Sequence, residues 1–516
     1  MNIKFNIHQN SKTDKDGKVE CSQNNENSKL TEFSVPNLDF LYTTYQMFPH
    51  IIMNCCKPIN NLINKYTIGE KQLGTYENIS GKPGIIPATG NDIYNYIARY
   101  GMANFQIQIV VNLNGILNHN TLLKAIRLSI AAEPVFGCRF VENQPPYWKT
   151  REDIDKISFF TFEMTNNLDE AIQKFLESPL DMDRDPMIKM KLIRSGQQDT
   201  LCIKINHTCC DGTGAKEYVQ LLSDIYSRID QNGGVYVPKP KVRTRKDQDR
   251  LFSSLGIENP EAAGDPLQDI PKTLWAFPWQ MSKPSNTRVA VCRLPHGHVD
   301  VLSRYAKSKG ATINDLIVTA LYRALFEMSQ PFNGIPMDIS MTVDLRRYLP
   351  DQKTEAIRNF SGGFNTKMSR IANETFEGTL SRVIPMMDKI KNSRPGLLSA
   401  IGLERVEKSD FHQTNSLYRA VSQFLIQFSS CVPQCAPVLS NLGILYKDLI
   451  KFGENVVNDA YIVPPAICAP GLLLCIGTYN GVITMSVSYY QSQAREEQIQ
   501  RFLNLVAKEL VEGCRN

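Results

Sequence analysis

The chain has 516 residues, 42% apolar and 21% charged, with 57 Lys and Arg against 52 Asp and Glu for a net charge of +5. These values exclude a collagen-like, mucin-like or wholly disordered polypeptide and supply a large core, in roughly two to four domains at about 150 residues each. So small a charge over this length leaves no concentrated basic footprint, which counts against nucleic acid as a partner.

Residues 1–30 are rich in Asn, Ser, Lys and Asp and read as a disordered arm. Residues 31–85 are more apolar but keep being punctuated by Pro and Gly, as in an irregular extension packed on a main body. A first lobe is expected over 86–230. Phe105 to Leu113 alternates apolar and polar residues at strand period, and Leu122, Leu123, Ile126 and Ile130 recur at helical spacing behind a cap at Asn118 or Asn120. A strand at 157–163, a helix at 167–177 and strands at 187–193 and 200–206 follow, then a strong amphipathic helix at 215–229. Residues 231–282 contain Gly233-Gly234, Lys-Pro repeats and a basic-polar stretch, the composition of an interdomain crossover.

A second lobe is expected over 283–516. It opens with a strand at 287–294, helices at 300–308 and 312–327 and a strand at 339–344. A strand at 472–479 runs through Asn480-Gly481, a type I′ turn signal, into another at 482–490. A helix at 494–512 closes the chain. Strands and helices alternate in both halves, so the class is α/β or α+β with two comparable lobes.

Thirteen cysteines include the vicinal pairs Cys55-Cys56 and Cys209-Cys210. Met1 to Asn10 carries no apolar signal-like run, so a reducing, cytoplasmic setting with free thiols is the expectation. Cys431-x3-Cys435 and His296-Gly-His298 lack partner clusters, and no metal is expected. The most apolar stretch, 464–476, is broken by Pro465, Pro470 and Gly471 and falls short of a membrane span.

The sharpest constellation is His207-x3-Asp211-Gly212, at a strand end and opening a helix. A strand-end imidazole can present a ring nitrogen to substrate, a carboxylate four residues on can hold the loop, and Gly212 and Gly214 admit close approach. On these residues alone, a capped helix start with a satisfied surface His is the more natural reading.

The surrounding segment Ile203-Lys-Ile-Asn-His-Thr-Cys-Cys-Asp-Gly-Thr-Gly214 resembles the HHxxxDG motif of the chloramphenicol acetyltransferase-like superfamily, which includes condensation domains, plant acyltransferases, wax-ester synthases and alcohol acetyltransferases. Asn114 to Ala125, Leu180 to Met187, Ala311 to Leu321, Val343-Asp-Leu-Arg-Arg347 and Ser440-Asn-Leu-Gly443 resemble further family segments in the expected order, covering about 86–510. The resemblance implies two α+β sandwich lobes in one chain, with an active-site channel between them. It implies acyl transfer from a thioester, acyl-CoA or acyl-phosphopantetheine, to a hydroxyl or amine, with no bound cofactor. His207 would be the general base. Asp211 would pair with an Arg, Arg346 best and Arg347 in reserve, and Asn206, Ser440 and Asn441 are candidate channel or oxyanion residues.

Two departures shape the reading. Asn206 replaces the first His, and the Asp-Phe-Gly-Trp-Gly signature of the plant branch is absent, so the alcohol acetyltransferase and wax-ester synthase branch fits better. Alternatives are a stand-alone, carrier-protein-dependent condensation enzyme and a non-catalytic scaffold of the same fold. Cys209 and Cys210 also invite a cysteine-nucleophile reading, but a thiol two residues from His207 on a tight loop is poorly placed for activation by it. The duplicated lobes imply a monomer.

Overall fold

The computed structural model describes residues 84–516 apart from 101–102, 182, 232–235, 239–244, 246, 261, 265–274, 276, 281, 417, 420–435 and 516. The arm at 1–30, nearly all of the extension at 31–85, Cys55-Cys56 and Cys431-x3-Cys435 lie outside the described residues.

The first half places β1 (Ile85–Pro87), α1 (Gly90–Ile97), β2 (Gln106–Leu113), α2 (His119–Ala132), β3 (Cys138–Val141), β4 (Tyr147–Thr150), β5 (Phe160–Met164), α3 (Leu168–Glu177), β6 (Ile188–Ser195), β7 (Gln198–Asn206) and α4 (Gly212–Gln231). After α5 (Asp247–Ser254) come β8 (Thr287–Arg293), α6 (His298–Ser308), α7 (Ile313–Ser329), β9 (Pro336–Asp344), β10 (Ser361–Ser369), α8 (Phe376–Asn392), α9 (Leu397–Lys408) and β11 (Val438–Ile444). The chain ends with β12 (Lys451–Phe452), β13 (Asn455–Val463), β14 (Leu473–Tyr479), β15 (Val482–Tyr490) and α10 (Glu496–Gly513).

Two six-stranded sheets define two lobes, in the orders β12-β13-β2-β7-β6-β5 and β10-β9-β11-β14-β15-β8, beside a small β1-β4-β3 sheet. The period-two alternation of β2 and β7 splits their side chains between two cores. Ile107, Ile109, Val111, Ile203 and Ile205 pack with Leu122, Ile126, Val219 and Leu222 of α2 and α4. Val110 and Cys202 turn the other way, onto Ala171, Ile172 and Leu176 of α3. Each large aliphatic side chain buried this way contributes about 1.5–3 kcal/mol, so both faces of the sheet are strongly specified. Asn118 caps α2 by accepting from Thr121 N–H, and Asn167 caps α3 from Glu170. In the second lobe Asn480 and Gly481 take φ of 45° and 73°, as a type I′ turn demands, and join β14 to β15.

The lobes are interleaved in sequence, which corrects a second lobe running unbroken over 283–516. After β11 the chain leaves its own sheet, adds β13 antiparallel to β2 of the first lobe, and returns as β14. The Ser486 and Ser488 hydroxyls of β15 donate to the carbonyls of Ile462 and Pro464, tying the crossing strand back to the second sheet.

The expected crossover at 231–282 is likewise more than a linker. It contains α5, and it inserts Arg245 and Trp275, each 1% exposed, into the body. The Trp275 indole N–H donates to the Asp338 carbonyl, and its ring stacks on Phe326.

Candidate active site

The strand β7 ends at Asn206, and the next eight residues build the site. Asn206 is buried and its side-chain Oδ1 accepts from Thr208 N–H at 2.9 Å, so the residue standing where the resemblance has a first His folds back on its own loop. His207 follows, half-buried. Its N–H donates at 2.7 Å to the carbonyl of Phe105, a bulky residue held at φ 39°. Such left-handed backbone costs of order 1–3 kcal/mol and persists only where the surroundings impose it. The Phe105 ring meets the imidazole edge-on at 6.0 Å. From the second lobe, Asn359 Nδ2 donates to the carbonyls of His207 and Thr208 at 2.9 and 2.8 Å.

Asp211 turns away from His207 and opens α4. Its Oδ1 accepts from Gly214 N–H at 2.7 Å as an N-cap, while Oδ2 accepts from Phe360 N–H at 2.7 Å and from Arg346 Nη1 at 3.0 Å. Arg346, 2% exposed, lies in the turn after β9 and also donates to Asp344, Thr354 and the Arg358 carbonyl. Arg347 is exposed and lies over Tyr348 instead. The two glycines serve close approach. A Cβ on Gly214 would sit 2.9 Å from Cys210 Cβ and 3.1 Å from the Arg358 carbonyl, and one on Gly212 would meet Leu442 Cδ2 at 2.9 Å. Thr213 adds a hydrogen bond to Asp344. The motif loop of one lobe is thus bolted to the turn after β9 and to β11 of the other.

Ser440 and Asn441, on β11, approach this seam through Leu442 rather than through His207. Ser440 Oγ accepts from Thr342, and Asn441 bridges Asn314 and Gly443 N–H. Among the described residues neither hydrogen-bonds His207. Cys209 and Cys210 are fully buried; Cys209 Sγ donates to the Asn206 carbonyl, and burial pushes the Cys210 thiol well up, so Cys210 is not disposed to act as a thiolate.

A second buried polar cluster behind the loop escaped sequence reasoning. Arg245 donates to Asp92 Oδ1 at 2.8 Å, to the Cys209 carbonyl at 3.1 Å and to the Ile357 carbonyl at 2.9 Å. Arg358 donates to Asp247 at 3.3 Å. Arg245 falls in an apparently polar linker, and nothing in its local spacing marks it as buried. Asn359 sits in a stretch with no strong periodicity.

Electrostatics separates the roles of the motif residues. Burial lowers the His207 imidazole from its ordinary value, against the opposing pull of its own backbone, the Asp211 charge and Asn359, so the ring is neutral near pH 7. Burial would raise Asp211, but the Arg346 charge and the hydrogen bonds it receives hold it below the usual carboxylate range. A neutral imidazole beside this ionised carboxylate can accept a proton from substrate. The carboxylate already takes three donors and is held below its usual range by Arg346, so it is the poorer proton acceptor.

Away from the seam, His296 is exposed and His298 partly buried, and among the described residues no group of three or more His, Cys, Asp or Glu suits a metal. No helix among them is long and apolar enough to cross a membrane.

Comparison with known proteins matches this arrangement. The condensation-domain family profile covers residues 101–243, which include the motif loop. The first condensation domain of the calcium-dependent antibiotic synthetase, in complex with a substrate analogue, superposes with a TM-score of 0.60 at 15% identity, over 84% of this chain and 98% of that one. The trichothecene 15-O-acetyltransferase TRI3 of Fusarium sporotrichioides gives 0.61 at 12% identity, over 86% and 98%. An uncharacterized protein of Mycobacterium tuberculosis is 22% identical over 269 residues, 49% of this chain, and the chain spans 60% of that curated relative's length. The chain therefore has the fold of condensation domains, two sheet-containing lobes in one polypeptide.

Proposed function

We propose that the protein is an acyltransferase that moves an acyl group from a thioester to a hydroxyl or amine, with His207 as general base. The observation that carries this reading is the division of labour in the motif loop. Asp211 is consumed by Arg346, Gly214 and Phe360, while the half-buried imidazole of His207 makes no ion pair among the described residues. The ring would take the acceptor's proton as the oxygen or nitrogen attacks the thioester carbon. The tetrahedral oxyanion collapses by expelling the thiolate, and the proton leaves with the thiol. No covalent enzyme intermediate is required. Of the candidate oxyanion donors Ser440 is the better disposed, because its hydroxyl accepts from Thr342 and keeps its own proton to give. Asn441 has its carbonyl on Gly443 and an amide hydrogen on Asn314.

Structural likeness to a protein named as an O-acetyltransferase and to a condensation domain supports acyl transfer, with the donor either acyl-CoA or a carrier-bound phosphopantetheine thioester. Thiol release should be measured with acetyl-CoA and longer acyl-CoAs, and with the same acyl groups on a carrier protein, against panels of alcohols and amines. Acceptor-dependent release is the expected result; its absence throughout would leave only a scaffold. His207→Ala should keep the wild-type melting temperature and lose about 10²- to 10⁴-fold in turnover. Activity within a few-fold of wild type would refute the assignment of the base.

A further inference from the structure

The Asn359 carboxamide is oriented by its surroundings. Two carbonyl oxygens, those of His207 and Thr208, stand 2.9 and 2.8 Å from one of its terminal atoms, so that atom is Nδ2. The other, Oδ1, is buried and has no hydrogen-bond partner among the described residues. The same holds for one atom of the neighbouring imidazole, His207 Nδ1. A buried acceptor without a donor and a buried ring nitrogen without a partner, on two side chains already linked through the His207 carbonyl, are complementary. Leaving both unsatisfied would cost each its desolvation free energy, of order 1–3 kcal/mol.

We propose that Asn359 is a positioning residue for His207, whose Nδ1–H it accepts through Oδ1, so that Nε2 is the nitrogen left to take the substrate's proton. Asn359 already holds the loop through its two Nδ2 donations. It reaches across the seam from the second lobe, so the lobe that does not carry the base sets the base's tautomer. The inference rests on the reading of His207 as base for its catalytic consequence, but not for the tautomer itself. The charged groups nearest the ring are Asp211 and, through it, Arg346; their pair is common to every variant below.

The test uses the full chain labelled with ¹⁵N-histidine, in which long-range ¹H–¹⁵N correlation reads the tautomer. The His207 signal is assigned by its loss in His207→Ala. Wild type should show the neutral Nδ1–H tautomer; a predominantly Nε2–H ring would overturn the proposal. Asn359→Asp keeps the acceptor and loses the Nδ2 donors, so it should retain Nδ1–H and raise the titration midpoint of the ring by about one unit or more, as a nearby carboxylate does. Asn359→Ala loses both functions and should drift toward Nε2–H, with turnover down at least ~10-fold and KM little changed. If Asn359 merely scaffolds the loop carbonyls, the two variants will show the same tautomer whatever the midpoint shift from the added charge, and the proposal fails. An Asn359-dependent tautomer in a chain that releases no thiol from any thioester would uphold this inference and overturn the acyl-transfer reading, so the two failures are distinct.

Discussion

Two buried ionic clusters grip neighbouring residues of the same loop, and they are built on different terms. In the cluster around Asp211 and Arg346, both carboxylate oxygens receive donors, and the guanidinium spends Nε, Nη1 and Nη2 on acceptors. In the cluster that reaches Cys209 through Arg245, the Nε of Arg245 and one terminal nitrogen of Arg358 find no partner among the described residues. Burial and the neighbouring Arg245 charge together push the Arg358 guanidinium down to about 10. A fully satisfied pair behaves as a lock, because removing either half strands the other. A cluster in which guanidinium nitrogens are left without acceptors is less closely matched and can be altered at lower cost.

The largest expected effect breaks the lock. Asp211→Asn and Arg346→Gln should each cost roughly 3–5 kcal/mol, the scale for stranding one member of a buried pair, and each should lower turnover by loosening the loop that carries His207. The double mutant should lose much less than the sum. Denaturant unfolding across the cycle measures this. Additive losses would show that the 3.0 Å contact carries no coupling, and a large loss of activity with unchanged stability would return Asp211 to the reacting groups.

That the two residues meet was foreseeable only through ordered family segments, since 135 positions separate them and no local pattern links them. The strands and helices nearest the motif were legible from periodicity because their apolar faces are continuous, as in β2, β7 and α4. The strand expected at 157–163 begins only at Phe160, and what escaped altogether lies mostly between β9 and β14. There β10 reads Ser-Gly-Gly-Phe-Asn-Thr-Lys-Met-Ser, with two glycines and little alternation, at the edge of its sheet. Within α8, Pro385 interrupts the helical pattern. The β13 crossing was invisible because a strand's sequence does not say which sheet it joins. Of the site residues, His207, Asp211 and Gly212 were readable as a motif. Asn359 and Arg245 were not, because their roles come from backbone carbonyls brought close by tertiary structure.

The second cluster should tolerate what the first does not. Arg358→Met removes a cation that repels Arg245 and leaves Asp247 with Arg250 Nη1 at 2.9 Å and the Glu355 N–H at 3.2 Å. The expected loss is about 1–2 kcal/mol, less than half of that for Arg346→Gln. Equal losses for the two arginines, measured by the same unfolding experiment, would erase the distinction between a fully and an incompletely satisfied cluster.

The smallest effect is a pH dependence in the second cluster. Glu407, on α9, accepts from Gly90 N–H at the start of α1, where the two backbones are so close that a Cβ on Gly90 would lie 1.9 Å from the Leu403 carbonyl. Burial lifts its carboxyl to about 7; the Gly90 hydrogen bond and the Arg358 charge pull the other way, while Glu404 and Asp92 add to the rise. The folded value thus lies above the unfolded value of about 4.3, so the folded protein holds the proton more tightly. Its contribution to stability is fully present below pH ~4, declines as pH rises between the two values, and is lost above about 7. Glu407→Gln abolishes that slope. The melting temperature of the variant, taken relative to wild type, should rise between pH 5 and pH 8 by roughly 1–3 °C. Thermal unfolding of both proteins across that interval decides it. A difference that is flat with pH would mean that Glu407 titrates normally in the folded chain, with the Gly90 hydrogen bond and the Arg358 charge offsetting its burial.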